Sequence, residues 1–276
     1  MSSRKVVITR PLMKEIFKKY EQTPNIHLVT WENDSPAPRN WIIDNIKDAS
    51  SVLVMLSDKV DKELLSNANK LKCISTMSVG IDHCDLNILK SLNIKLANTP
   101  ILVEATSEIA ILLYLSAMRR LKESLRFIDN GSWPQIGWGP LLLSGYQSTS
   151  KTIGFLGFGR IAQETCRKLS VFGIKNVIYT DSGKHDRTER DKELSNKFGV
   201  IIQRVNLESL AKNSDALIIL ASMSHSGMKH LVNREFLNLM KKSSILINVA
   251  RGPIVVCFII IILQFLLNYI YRIRMH

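Results

Sequence analysis

Apolar and polar positions alternate in blocks along the first hundred residues. The short apolar runs VVIT (6–9), IHLVTW (26–31), SVLVMLS (51–57) and CISTM (73–77) predict strands, with KLANTP (95–100) a weaker fifth. Polar segments with helical character, such as PLMKEIFKKY and DKELLSNANK, lie between them. Strands alternating with helices build parallel βαβ units, and runs this short and apolar do not suit an exposed antiparallel meander. Residues 103–128 predict one long helix, apolar almost all round at its middle and therefore buried. NGSWPQIGWGPLLLSGYQSTS (130–150) is rich in Gly, Ser, Pro and Trp, a long excursion of the kind that arms a partner subunit or lines a site. From Lys151 a second alternation begins. KTIGFLGF, KNVIYTD, VIIQ (200–203), DALIILA (215–221) and SILINVA (244–250) predict strands, and RIAQETCRKLSVFG predicts a helix after the first of them.

Within TIGFLGFGRIAQ the small residues fall as Gly157-x-Gly159-x-x-Ala162, after an apolar strand and at the opening of a helix. In that context each has a physical task. Gly157 permits the tight turn, Gly159 lets the backbone approach a pyrophosphate, and Ala162 lets the helix pack close to the strand. The N–H groups and positive dipole end of the helix then hold the anion, so a dinucleotide-binding βαβ unit is expected. The next strand ends IYTDSGKHDR. Asp181 is placed to accept from adenosine ribose hydroxyls, which favours NAD. Lys184, His185 and Arg187 follow at once and could face a 2′-phosphate, or be loop residues with no ligand, so NADP and NAD both stand as cofactors.

Composition narrows the class. The chain has 276 residues, 46% of them hydrophobic and 22% charged, enough for one large or two ordinary cores. The formal net charge of +13 could attract nucleic acid, anionic lipid or small anionic substrates. The basic residues are dispersed, however, and no zinc-finger, RNP or basic-zipper pattern accompanies them, so no nucleic-acid partner is expected. Cys73, Cys84, Cys166 and Cys257 form no CxxC pair and fit reduced thiols in a cytoplasmic protein. The opening MSSRKVVITRPLMKEI has no apolar signal core.

Four stretches in order, SVGIDHCDL (78–86), TSEIA (106–110), GFLGFGRIAQ (154–163) and INVARGPIV (247–255), resemble the D-2-hydroxyacid dehydrogenases. NGSWPQIGWGPLLLSGYQ is most similar to the glyoxylate/hydroxypyruvate reductase branch, and the likeness covers about residues 4–255. The resemblance implies an α/β fold of two doubly wound parallel-sheet domains: a flavodoxin-like substrate domain over 1–101 and a Rossmann nucleotide domain over 102–253, the latter incomplete. It implies NAD(P)H-dependent reduction of a small 2-keto acid, and a homodimer. Val79 and Gly80 match the loop whose N–H groups hold the substrate carboxylate, where a glycine beside a strand end lets an anion come close. Arg251 matches the catalytic arginine that grips the carboxylate and polarises the keto group, a task suited to a planar fork of donors. Arg160 and Ile161 match the pyrophosphate turn, and Ser222 and Val249 match positions that line the cofactor. Where the reductase branch has an arginine that reads the NADPH phosphate, Ser182 stands here beside Asp181.

Hydride transfer leaves an alkoxide that needs a proton. The family supplies it from a histidine tuned by a carboxylate, both downstream of the arginine. Neither motif occurs here; the histidine after Arg251 is His276, while His83 matches a structural position. Little or no turnover is therefore expected, and a non-catalytic dinucleotide-binding or tail-anchored protein is the alternative. From Ile254 to Tyr271 no charged residue occurs, and Arg272 and Arg274 follow. Three readings of this tail, residues 254–276, compete. One is a membrane contact through 254–273, although Gln264 and Asn268 oppose it. Another is a helix docked on an otherwise open sheet. The third, favoured by the abrupt end of the family pattern after Val255, is an alternative ending that replaces the family's own.

Overall fold

The β-branched runs form two separate parallel sheets. The structure, a computed structural model, describes residues 3–256 apart from positions 14, 16, 17, 19, 21 and 224–226. The helix expected around PLMKEIFKKY falls partly on positions outside the described residues, and Cys257 and His276 fall wholly outside them. The chain divides into two compact units, one up to Leu102 and one from Val103.

In the first unit, β1 (Arg4–Ile8), β2 (Ile26–Thr30), β3 (Ser51–Val54), β4 (Cys73–Thr76) and β5 (Lys95–Asn98) pair in the order β2-β1-β3-β4-β5. Every pairing is parallel. Helices α1 (Arg39–Ile46), α2 (Lys62–Ser66) and α3 (Leu86–Ser91) connect them. Asp61 and Asp85 cap the last two, each accepting from main-chain N–H groups of the first turn. Val7, Val52, Val54 and Ile74 from the strands share one core with Ile42, Ile46, Leu64 and Leu89 from the helices.

In the second unit, β6 (Thr152–Leu156), β7 (Asn176–Thr180), β8 (Ile201–Arg204), β9 (Ala216–Ile219) and β10 (Ile245–Asn248) pair in the order β10-β9-β6-β7-β8. Counted from β6 this is the Rossmann order 3-2-1-4-5. One sheet face is covered by α4 (Val103–Met118) and α7 (Arg160–Ser170), where Ala110, Tyr114 and Ala117 share a core with Ala162, Cys166 and Leu169. The other face is covered by α9 (Leu207–Asn213) and α10 (Arg234–Leu239), through Leu210, Ala211 and Phe236. Helix α8 (Thr188–Phe198) joins β7 to β8. Cys73, Cys84 and Cys166 are unbridged. Burial pushes the Cys166 thiol up to about 12, and burial with the Asp82 charge pushes Cys84 to about 11. Both therefore stay protonated and unreactive at neutral pH.

Two expectations need correction. The single helix over 103–128 is two helices, α4 and then α5 (Leu121–Asp129), because Arg120 adopts a left-handed conformation at φ 54°; the short α6 (Trp133–Ile136) follows. The break is tertiary in origin: the Met118 carbonyl accepts from the Tyr146 N–H at 2.8 Å, so the returning excursion closes the end of α4. The membrane contact is the second. Among the described residues no helix is long and apolar enough to cross a membrane. The apolar run also begins inside the folded unit: Gly252–Ile254 is a short 3₁₀ turn, and Ile254 and Val255 are buried with Leu210, Val232 and Phe236. The remainder of the proposed span, residues 257–273, lies outside the described residues.

Close approach and one charged staple hold the nucleotide unit together. A Cβ built on Gly154, in the middle of β6, would lie 1.9 Å from Ser214 Oγ and 3.1 Å from Leu210 Cδ1. Gly154→Ala is expected to cost about 1–3 kcal/mol through overpacking, read by urea denaturation, and Ser214→Gly in the same chain to restore part of it. Asp215 joins three strands. Its carboxylate accepts from the Thr152 N–H and from Lys241 Nζ, both at 2.8 Å, while its carbonyl accepts from Ile245. Burial opposes its charge, but Lys241, the Thr152 N–H and Lys151 outweigh that and hold its carboxyl below the usual range. A lowered folded pKa stabilises above about pH 4 and is lost as pH falls through the lowered value. Asp215→Asn is therefore expected to be roughly 1–3 kcal/mol less stable than the parent chain at pH 7, with the gap closing below pH 4.

Candidate functional site

Strand β6 has β7 on one side and β9 on the other, so the direction of winding reverses between β6 and β9. A crevice at the carboxyl ends of strands forms at such a switch point. The glycine turn stands there. Gly157 has φ +86°, and a Cβ on it would lie 2.8 Å from Ala221 Cα and 2.9 Å from Ala221 N. No side chain can be accommodated in that gap. The Gly157 N–H donates to the Thr180 carbonyl at 2.9 Å, fastening the turn to the end of β7. Gly159 is the N-cap of α7, and a Cβ built on it would meet nothing within 4 Å. Its smallness therefore serves no intramolecular contact and leaves room for a ligand. Arg160 and Ile161 open α7, the first exposed and the second half-buried, and Ala162 is buried against the core. A cramped turn, an open second glycine and an uncovered helix N-terminus are what a pyrophosphate requires, and they fit a dinucleotide.

An aromatic stack backs this turn. The Phe158 ring lies 4.6 Å from Tyr179, nearly parallel to it, and the Arg190 guanidinium sits 5.4 Å from both ring centroids. Arg190 donates to the Tyr179 oxygen at 2.8 Å, and the Tyr179 hydroxyl donates to Asp191 at 2.7 Å. Burial, then the bond to Asp191, pushes the Tyr179 hydroxyl well above its ordinary value, so it remains a donor. Sequence reasoning missed Arg190 and Asp191. They stand on α8, well after the fingerprint in the chain, and only the aromatic residues at 158 and 179 hinted at the stack.

Asp181 follows β7 and is already engaged. Its Oδ1 accepts from the Gly183 N–H at 3.0 Å and from Arg204 Nη2 at 2.7 Å, and its Oδ2 is 4.0 Å from Arg187 Nε. Ser182, Lys184 and His185 belong to the same loop, with Lys184 and His185 exposed and Ser182 next to the acid. Ser222 is exposed directly after Ala221, the residue that crowds Gly157. Val249 is buried after β10, its N–H reaching the Ile219 carbonyl at 3.4 Å. Arg251 is half-buried in a loop braced by Asn248, whose side chain donates to the Arg251 carbonyl at 2.9 Å and accepts from the Ala250 N–H at 3.0 Å. These residues thus sit on loops that follow β6, β7, β9 and β10 at one end of the sheet.

Val79 and Gly80 lie in the other unit, in the loop after β4. The Ser78 carbonyl accepts from the Thr99 N–H and the Val79 carbonyl from Asn98 Nδ2, each at 2.9 Å. Among the described residues no peptide is cis, so each N–H points opposite to the carbonyl of the preceding residue. The N–H groups of Val79 and Gly80 therefore face away from β5. Ser78 Oγ donates to the Gly80 carbonyl at 2.7 Å, and Thr76 Oγ1 contacts both Ser78 Oγ, at 2.8 Å, and His83 Nε2, at 3.0 Å. His83 thus takes part in bracing this loop.

The two fingerprint glycines are expected to respond differently to a methyl group. Gly157→Ala should lower both the melting temperature and the affinity for NAD(P), because the strain is internal. Gly159→Ala should keep the parent melting temperature and lose dinucleotide affinity by about tenfold or more, read by thermal denaturation and by titration with NADPH.

Comparison with known proteins agrees with this geometry. The family described as D-isomer specific 2-hydroxyacid dehydrogenase, NAD binding domain, matches residues 111–259. The glyoxylate reductase/hydroxypyruvate reductase of Mus musculus is 36% identical over 253 residues, 91% of this chain and 74% of that protein. The glyoxylate reductase of Thermococcus litoralis is 34% identical over 254 residues, 91% of this chain and 73% of that one. Among solved structures, the TT0316 protein of Thermus thermophilus superposes with a TM-score of 0.81 at 26% identity, covering 96% of this chain and 79% of that one. The second unit described above is thus an NAD(P)-binding domain, and the chain belongs to the D-isomer specific 2-hydroxyacid dehydrogenase family, NAD(P)H-linked reductases of the 2-hydroxyacid type.

Proposed function

We propose that this protein recognises NAD(P)H together with a small 2-keto acid, glyoxylate or hydroxypyruvate. The observation that carries the substrate class is the orientation of the Val79 and Gly80 N–H groups. With the Ser78 and Val79 carbonyls tied to Thr99 and Asn98, both donors face away from β5 and suit a carboxylate. In the nucleotide unit Arg251, on a loop braced by Asn248, carries a guanidinium, a fork of donors suited to a carboxylate or a keto oxygen. The names of the mouse and Thermococcus relatives, both glyoxylate reductases, support small keto acids. The cofactor, when bound, supplies hydride to the carbonyl carbon. Arg251 would steady the negative charge that develops on the oxygen, and that oxygen then needs a proton.

The test uses the purified polypeptide, hydroxypyruvate, and NADPH or NADH, with the mouse relative alongside. Binding of the cofactor together with hydroxypyruvate or its unreactive analogue oxalate is expected, and Arg251→Ala should weaken oxalate binding by about tenfold or more. A chain that binds cofactor but neither hydroxypyruvate nor oxalate would contradict the proposal.

A further inference from the structure

The loop after β7 carries two acids, Asp181 and Asp186, against Lys184, Arg187 and, reaching over from β8, Arg204. Asp181 Oδ1 accepts from both Gly183 N–H and Arg204 Nη2, so one of its two oxygens is already saturated. Arg204 is fixed at its other end, where Nη1 donates to the His185 carbonyl at 3.0 Å. Arg187 Nε, 4.0 Å from Asp181 Oδ2, is buried and has no hydrogen-bond partner among the described residues. Two guanidinium groups therefore face the Asp181 carboxylate, with Lys184 exposed in the same loop; Asp186, which accepts from the Thr188 N–H and Oγ1, also feels the Arg204 charge, so the group keeps a small positive excess. Gly183 keeps the loop tight against this group: a Cβ on it would lie 3.2 Å from Arg204 Nη2. Arg204 reaches Asp181 because β8 lies beside β7 in a register that sets it opposite Tyr179, two residues before the acid.

An acid that selects a ribose must offer its oxygens to the 2′- and 3′-hydroxyls. Here Oδ1 is committed, and the net charge of the cluster favours an anion. A buried donor with no partner is also costly unless something satisfies it. We propose that Arg204, with Arg187, makes this chain selective for the 2′-phosphorylated cofactor, and that Arg204 is the residue that sets this preference despite Asp181. Planar forks of donors on a phosphate are the stronger alternative to a half-occupied carboxylate on a hydroxyl. The inference rests on nucleotide binding by the second unit.

The test compares two fragments of the adenosine half, 2′,5′-ADP and ADP, by isothermal titration calorimetry on the full chain, with no turnover required. The parent chain should bind 2′,5′-ADP about ten- to a hundredfold more tightly than ADP, the range expected for charge-assisted bonds. The ratio should shrink as salt is raised. Arg204→Ala should bring the ratio close to one, chiefly by weakening 2′,5′-ADP, and Arg204→Lys should retain part of it. Melting temperatures of all three chains show whether each is folded, and Arg204→Lys carries the comparison if Arg204→Ala is not. A parent chain that prefers ADP, or an Arg204→Ala chain with the parent ratio, overturns the proposal. Binding of neither fragment to the parent would instead remove the nucleotide-binding premise on which it stands.

Discussion

The nucleotide unit depends on how little space is left around β6. At Gly154 the strand passes Ser214 with no room for a methyl group, and at Gly157 the turn passes the Ala221 main chain just as closely. These two contacts draw α9 and the end of β9 against β6. The Phe158 ring is thereby delivered onto Tyr179, and α7 begins at Gly159 with its first N–H groups at the strand tips. Ala162, Cys166 and Leu169, on one buried stripe of α7, then meet Ala110, Tyr114 and Ala117 of α4. The rigidity of the cradle comes from this packing and not from the turn itself. A turn of three small residues, left to itself, would sample many conformations.

Much of this is legible from residues alone, for a local reason. The strands are runs of β-branched and apolar residues whose identity is decided over four or five positions, and the fingerprint is compact enough that spacing and context reveal it. What the sequence does not reveal is what the fold assembles from distant parts. The break at Arg120 follows from a bond between Met118 and Tyr146, across a segment that reads as loop. The Arg190 support of Phe158 and the Arg204 clasp on Asp181 arise only once β7, α8 and β8 lie side by side. Ile254 reads as the start of an apolar tail because hydrophobicity continues beyond it, yet its side chain completes the core under α9 and α10. A run of apolar residues does not reveal where a core stops.

Charge is handled differently at the two ends of this sheet. At the amino end of β9, Asp215 is matched with Lys241 and with the Thr152 N–H, a closed arrangement that ties three strands. At the carboxyl ends, Arg160, Arg187, Arg204 and Arg251 stand near loops that follow the strands, and Asp181 is the carboxylate clasped by two of them. The first arrangement satisfies its groups internally. The second keeps a surplus of donors where strand tips and a helix N-terminus already favour anions.

The most direct measure of this account is hydrogen–deuterium exchange of the full chain with and without saturating NADP. Protection should appear in peptides spanning 156–163, 180–187 and 201–204, while 51–54 and 73–76, the β3 and β4 core of the other unit, should be unchanged. Saturating NADP that leaves 156–163 unprotected would contradict the claim that the crowded glycine turn is the seat of the cofactor.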